Sequence, residues 1–132
     1  MIKDKLIPML KAAFPRMNIK YDHTKNPIAI IPAAHPEVGD VRINDDENEA
    51  TLIIGDITRN HYNPYDESLS QDQIDHMVSA EVISFLETLF QDKILMWKTA
   101  RGGGGCTHIV FEKNKDKILN NNRSYFWSGP IN

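Results

Sequence analysis

The chain has 132 residues, 41% of them hydrophobic and 25% charged, with a formal net charge of −3. That length fits one domain with an interior large enough to fold without staples, and the composition excludes intrinsic disorder. The single cysteine, Cys106, excludes an intrachain disulfide framework and a cysteine-based zinc cluster.

The net charge hides a segregation. Residues 1–36 hold six Lys/Arg and two Asp/Glu, residues 37–92 hold two and fourteen, and residues 93–132 hold seven and two. A block of net −12 therefore lies between flanks of +4 and +5. Such an arrangement suggests either internal pairing or an acidic face for a basic partner. The basic content is too split and too modest to suggest nucleic acid. Charge interrupts the first apolar residues too early for a signal peptide, and no apolar run approaches the ~20 residues of a membrane span. With a lone cysteine as well, the expected location is cytoplasmic.

In chain order, Ile2, Leu6, Met9, Leu10, Ala13 and Phe14 recur at helical spacing. Asp4 is a candidate cap for this helix, Pro8 implies a kink or a later start, and Pro15 ends it. Residues 17–57 read as strands. Met17, Ile19 and Tyr21 alternate with polar residues. Ile28–Ile31 is an apolar run that Pro27 and Pro32 shorten or place at a sheet edge. Val41 and Ile43 alternate, Thr51–Ile54 is β-branched and apolar, and Asn44–Glu49 between them reads as a hairpin loop. Residues 58–69 are rich in turn formers and read as a long loop.

Ser70 and Gln73 form a capping box, with Leu69 and Ile74 as a hydrophobic staple. Asp72 and Asp75 suit the first turn of the helix this predicts, and Lys93 suits its far end. Ile74, Val78, Val82, Phe85, Leu86 and Leu89 form its apolar stripe. Ile94–Ala100 and Cys106–Glu112 then read as a hairpin around Arg101–Gly105. A polar stretch over 113–122 precedes a last aromatic strand at Tyr125–Trp127. The whole predicts one α+β domain over residues 1–132. An antiparallel sheet, a meander plus the C-terminal hairpin, packs against the long amphipathic helix, with an N-terminal helix alongside.

No catalytic or cofactor motif and no metal-ligand spacing stands out, so the leading expectation is a non-enzymatic binding protein. Its sharpest form is an immunity- or chaperone-like partner of a basic protein, held by an acidic surface. Asp45, Asp46, Glu47 and Glu49 of the hairpin loop, with His61, Tyr62 and Tyr65 of the next loop, are the candidate contacts. The plainer alternative is that these carboxylates are only the solvated sides of a hairpin and a helix. An enzyme or small-ligand site is the second reading. It would draw on His61, Tyr65, Arg101, Gly103, Gly104, Cys106 and His108. Gly102–Gly105 can present backbone N–H groups to an anion, although such a run is equally a mobile hairpin tip. Cys106 and His108 share a strand face, too far apart for an easy direct bond. Asp56, His61 and Asp66 could assemble a mixed metal site only by converging from separate turns. Glu81, beside the apolar stripe, is a candidate half-buried acid. The third reading is self-association through a free sheet edge or through Tyr125 and Trp127.

Overall fold

The computed structural model describes residues 1–132. It is α+β, as expected. Helix α1 (Ile2–Ala13) leads into a five-stranded antiparallel meander of β1 (Lys20–Tyr21), β2 (Ala29–Ile31), β3 (Val41–Asp45), β4 (Ala50–Ile54) and β5 (Thr58–Tyr62). The long helix α2 (Gln71–Phe90) follows. Then come β6 (Ile94–Lys98), β7 (Gly104–His108), a short helix α3 (Lys115–Asn121), β8 (Arg123–Phe126) and β9 (Gly129–Pro130). The C-terminal hairpin does more than lengthen the meander: β6 pairs with both β7 and β8, giving a second antiparallel sheet in the order β7-β6-β8-β9. The two sheets meet where β5 lies beside β7.

Alternation in the meander sets what faces inward. Val41, Ile43 and Asp45 of β3 pair with Ile54, Leu52 and Ala50 of β4, and all six are buried. β2 adds Ala29 and Ile31 to the same layer. β2 is as short as its flanking prolines imply, but it is not the sheet edge, because the two residues of β1 cover it. α2 closes the layer with Val78, Val82, Leu86 and Leu89. Both bonds of the Ser70–Gln73 capping box are present, so two orphan N–H groups at the helix start are satisfied. Ile74 and Phe85 sit at the margins of the stripe, half-buried, and Lys93 lies past the end of the helix. Burial of this stripe, more than helix propensity, fixes α2.

α1 packs along α2 through Ile2, Leu6, Ile7 and Leu10. Ile7 takes the place expected for Ala13, which is exposed. Pro8 lies inside the helix on its exposed side, so the Asp4 carbonyl it leaves without a helical partner faces the solvent side. Asp4 is the third residue of the helix and not its cap. The start is held from outside. The Lys3 backbone N–H donates to Asp45 Oδ2 at 3.0 Å, and the Met1 ammonium lies 3.4 Å from Asp75 Oδ2. Two carboxylates thus face the positive end of the α1 dipole.

Four further expectations are corrected. Residues 58–62 form β5 and are not loop, since Gly55–Ile57 turns the chain tightly enough for Thr58 to pair with Ile54. Gly104 and Gly105 belong to β7, whose strand stops at His108 and not at Glu112. Residues 115–121 are helical. Tyr125 and Trp127, each 5% exposed, lie in the core, where Trp127 packs on Phe90 with ring centroids 5.3 Å apart. Neither is available for self-association.

Candidate functional site

The acidic block is divided by the fold. Each Lys/Arg–carboxylate pair joins a basic flank to the block: Lys5–Asp72 at 3.2 Å, Lys98–Asp56 at 2.9 Å and Arg123–Glu37 at 3.4 Å. The remaining carboxylates separate into structural and free groups. Asp45, read in sequence as an exposed loop residue, is 8% exposed. Its side chain accepts from the N–H groups of Lys3 and Glu47, and its backbone is bonded at both ends to the Asn26 amide. The period of two that begins at Val41 and Ile43 points Asp45 inward, and that signal was legible. Asp75 is also buried, taking a hydrogen bond from Gln71 at 2.8 Å.

Asp46, Glu49 and His61 form one network on the outer face of β4 and β5. Thr51 Oγ1 donates to Asp46 at 2.8 Å and lies 3.1 Å from His61 Nδ1. Glu49 lies 3.3 Å from the same nitrogen. The single hydroxyl proton of Thr51 goes to Asp46, so assigning the His61 proton to Nδ1 satisfies both other contacts. Glu47 stays exposed, at a left-handed φ of 72°.

Two of the remaining carboxylates, Asp66 and Glu67, stand in a groove at the N-terminal end of α2. A concavity of about 570 Å³ is lined by Asn48, Asn63, Tyr65, Asp66, Glu67 and Gln71, among others. It continues into a smaller one of about 280 Å³ that shares Asn48 and Gln71 and adds Glu47 and Met1. Neither lining contains a lysine or arginine. Tyr65 is 79% exposed and held at φ 54° by Asn63, whose Oδ1 accepts the Tyr65 N–H at 2.7 Å. Hydrogen bonds from the hydroxyl and N–H of Ser68 hold the Asp66 carboxyl below the usual carboxylate range, so it keeps its charge into mild acid. An exposed aromatic ring among unneutralised carboxylates offers both halves of a cation site, ring face and counter-charge.

A second concavity, of about 310 Å³, lies farther along α2. Tyr62 of β5, Glu81, Ser84 and Phe85 of α2, Ile94 of β6 and His108 of β7 line it. Tyr62 and Phe85 meet with ring centroids 6.1 Å apart. Glu81 is exposed at this rim and not half-buried. Behind Tyr62, the Cys106 thiol donates to Asn60 Oδ1 at 3.4 Å, and Asn60 Nδ2 donates to the Tyr62 hydroxyl at 3.3 Å. Burial pushes the Cys106 thiol up and Tyr62 up to about 12, so both stay protonated at neutral pH.

The residues of the enzyme or small-ligand reading are dispersed. Cys106 bonds to Asn60 on the α2 side of β5, whereas His61 faces the opposite side of the same strand. Arg101 is exposed in the 99–103 loop. His108 Nδ1 accepts the Val110 N–H at 3.3 Å. Asp56, His61 and Asp66 are engaged by Lys98, Thr51 and Ser68 respectively, and no group of three His, Cys, Asp or Glu side chains is gathered in metal-binding geometry. Gly104 lines a cleft of about 290 Å³ with Asp56 and Arg59, while Gly103 does not. Close approach explains the second half of the glycine run, Gly104 and Gly105. A Cβ at Gly104 would lie 2.2 Å from the Ile57 carbonyl oxygen, and one at Gly105 would lie 2.5 Å from the Trp97 ring.

The sequence matches no protein-family model, and neither a curated protein nor a solved structure shows significant similarity to it. No helix is long and apolar enough to cross a membrane.

Proposed function

We propose that this chain is a non-enzymatic binding protein that takes a basic segment of a protein partner in the groove beside the start of α2. Tyr65 carries the reading: an aromatic ring 79% exposed, flanked by Asp66 and Glu67 in a groove whose lining has no lysine or arginine, while the Met1 ammonium of the adjoining concavity is paired with Asp4 and Asp75. Lysine or arginine side chains of the partner would lie over the ring and between Glu47, Asp66 and Glu67. Such contacts speed encounter and select for charge, with Tyr65 adding a desolvated anchor. The wide mouth of the groove suits an extended or looped segment better than a small enclosed molecule. Inhibition or escort of a basic protein would follow from covering its basic surface.

A pull-down from source-cell lysate at low and high salt, read by mass spectrometry, tests this. A basic protein retained at low salt and released at high salt is the expected result, because exposed charge pairs are screened. Retention that ignores salt, or capture of acidic proteins, contradicts it.

A further inference from the structure

The groove beside the start of α2 holds one acceptor whose direction the fold fixes. Gln71 lines both of its concavities. Its Nε2 donates to Asp75 Oδ1 at 2.8 Å, and Asp75 is only 7% exposed. A carboxylate only accepts, so the nitrogen of that amide must face Asp75 and Oε1 must face away. The Met1 ammonium, 3.4 Å from Asp75 Oδ2, holds the carboxylate through its other oxygen. The Gln71 side chain makes no second hydrogen bond within the chain, which leaves Oε1 open. At Asp66 both Ser68 bonds end on Oδ1, so Oδ2 is open as well. Asn63 Oδ1 is already taken by the Tyr65 N–H. One groove thus offers an aromatic face at Tyr65, a carboxylate oxygen at Asp66 and a neutral carbonyl oxygen at Gln71.

We infer that this groove selects arginine over lysine, with Gln71 as the residue that sets the preference. The inference rests on the reading of the groove as a site for a basic segment. A guanidinium is planar, so it stacks on an aromatic ring and still directs N–H groups outward in its own plane, toward two acceptors at once. It carries five N–H donors and no acceptor, which a ring face, a carboxylate oxygen and an amide oxygen all suit. An ammonium also lies over a ring and pairs with a carboxylate. It is a compact, strongly hydrated charge, however, and gains less from a neutral carbonyl. Asp66 and Glu67 therefore attract both cations, and the discriminating contact is the one to Gln71. Its direction needs no adjustment on binding, because Asp75 already holds it.

Fluorescence anisotropy at low salt tests this with the whole chain and two labelled Gly/Ser peptides, one carrying three arginines and the other three lysines at the same places. Wild type should bind the arginine peptide about fivefold more tightly or better, less than a buried charge-assisted bond would give because the groove is open. Gln71→Met keeps the length of the side chain and removes the acceptor. It should narrow the ratio to below about twofold by weakening the arginine peptide alone, a change that a general loss of stability or of charge does not produce. Circular dichroism checks that α2 is kept. If Gln71→Met disturbs the helix, Gln71→Asn, which draws the carbonyl back by one methylene, carries the same test. Equal affinities in wild type overturn the selectivity and leave the groove reading intact. A preference that Gln71→Met leaves unchanged overturns the role of Gln71. Binding of neither peptide overturns the groove reading, and this inference with it.

Discussion

The two ends of α2 make opposite surfaces. At its start, Gln71 and Ile74 wall a wide groove rimmed by carboxylates and an exposed tyrosine. Three turns later, Ser84 and Phe85 wall a smaller cleft with aromatic and aliphatic sides. The first draws on the most acidic stretch of the chain, yet the fold removes Asp45 and Asp75 from it and uses them to hold α1. The second draws on Tyr62, from a stretch that looks polar in sequence, yet pairing with β4 makes Thr58–Tyr62 a strand and sets that ring in the cleft wall. Clustering of residue types along a chain is therefore a poor guide to the chemistry of a surface. Register decides which members of a cluster remain outside.

Substitutions behind the two surfaces should separate them. Leu86→Ala, fully buried beneath the cleft, should cost about 3 kcal/mol on chemical denaturation. Its neighbour Phe85, half-buried at the cleft wall, should cost only about 1–2 kcal/mol as Ala, the low end for a partly exposed ring. Equal losses would mean that the cleft is closed and that Phe85 belongs to the core.

The junction of the sheets gives the next test. Gly104→Ala should cost about 2 kcal/mol or more, since the added methyl meets two backbone oxygens that cannot step aside, whereas Gly103→Ala should stay within about 0.5 kcal/mol. Indifference at Gly104 would restore the picture of a mobile tip. At the groove end, Asp45→Ala should cost about 2 kcal/mol by unpairing two N–H groups and the start of α1, and Glu47→Ala about 0.5 kcal/mol or less. Similar values for the two would mean that Asp45 is as free as its neighbours.

Tyr62 stands at the boundary of the two surfaces and predicts a pH effect. Burial raises its folded value to about 12, against an ordinary value near 10. The folded chain therefore holds this proton longer than the unfolded chain. The stability tied to it is complete below about pH 10 and is lost as pH rises toward about 12. Tyr62→Phe should flatten that part of the stability–pH curve. An unchanged slope would place the hydroxyl in water.

Much of this fold is legible in sequence. The S-x-x-Q box and the 78–89 stripe give α2, and the alternation at Val41–Ile43 with the Thr51–Ile54 run gives the central hairpin. Less was legible where tertiary contact overrides local composition. β5 consists of Thr-Arg-Asn-His-Tyr, and only pairing with β4 makes it a strand. Gly104 and Gly105 read as loop because their reason lies across the fold, in Ile57 and Trp97. Of the candidate site, Glu47 and Tyr65 could be named in advance. Asp66 and Glu67 could not be ranked above the other acids of the block until Lys5, Lys98 and Arg123 showed which carboxylates they neutralise.

The most direct test of the central claim is parallel low-salt capture from lysate by wild type, Tyr65→Ala, the triple variant Glu47→Gln/Asp66→Asn/Glu67→Gln, and Phe111→Ser as a control on the other surface. All the substituted positions are exposed, so each variant should keep its fold. The expected result is a basic protein held by wild type and Phe111→Ser and lost from Tyr65→Ala and the triple variant. A partner that survives the loss of Tyr65 and all three carboxylates would contradict the account.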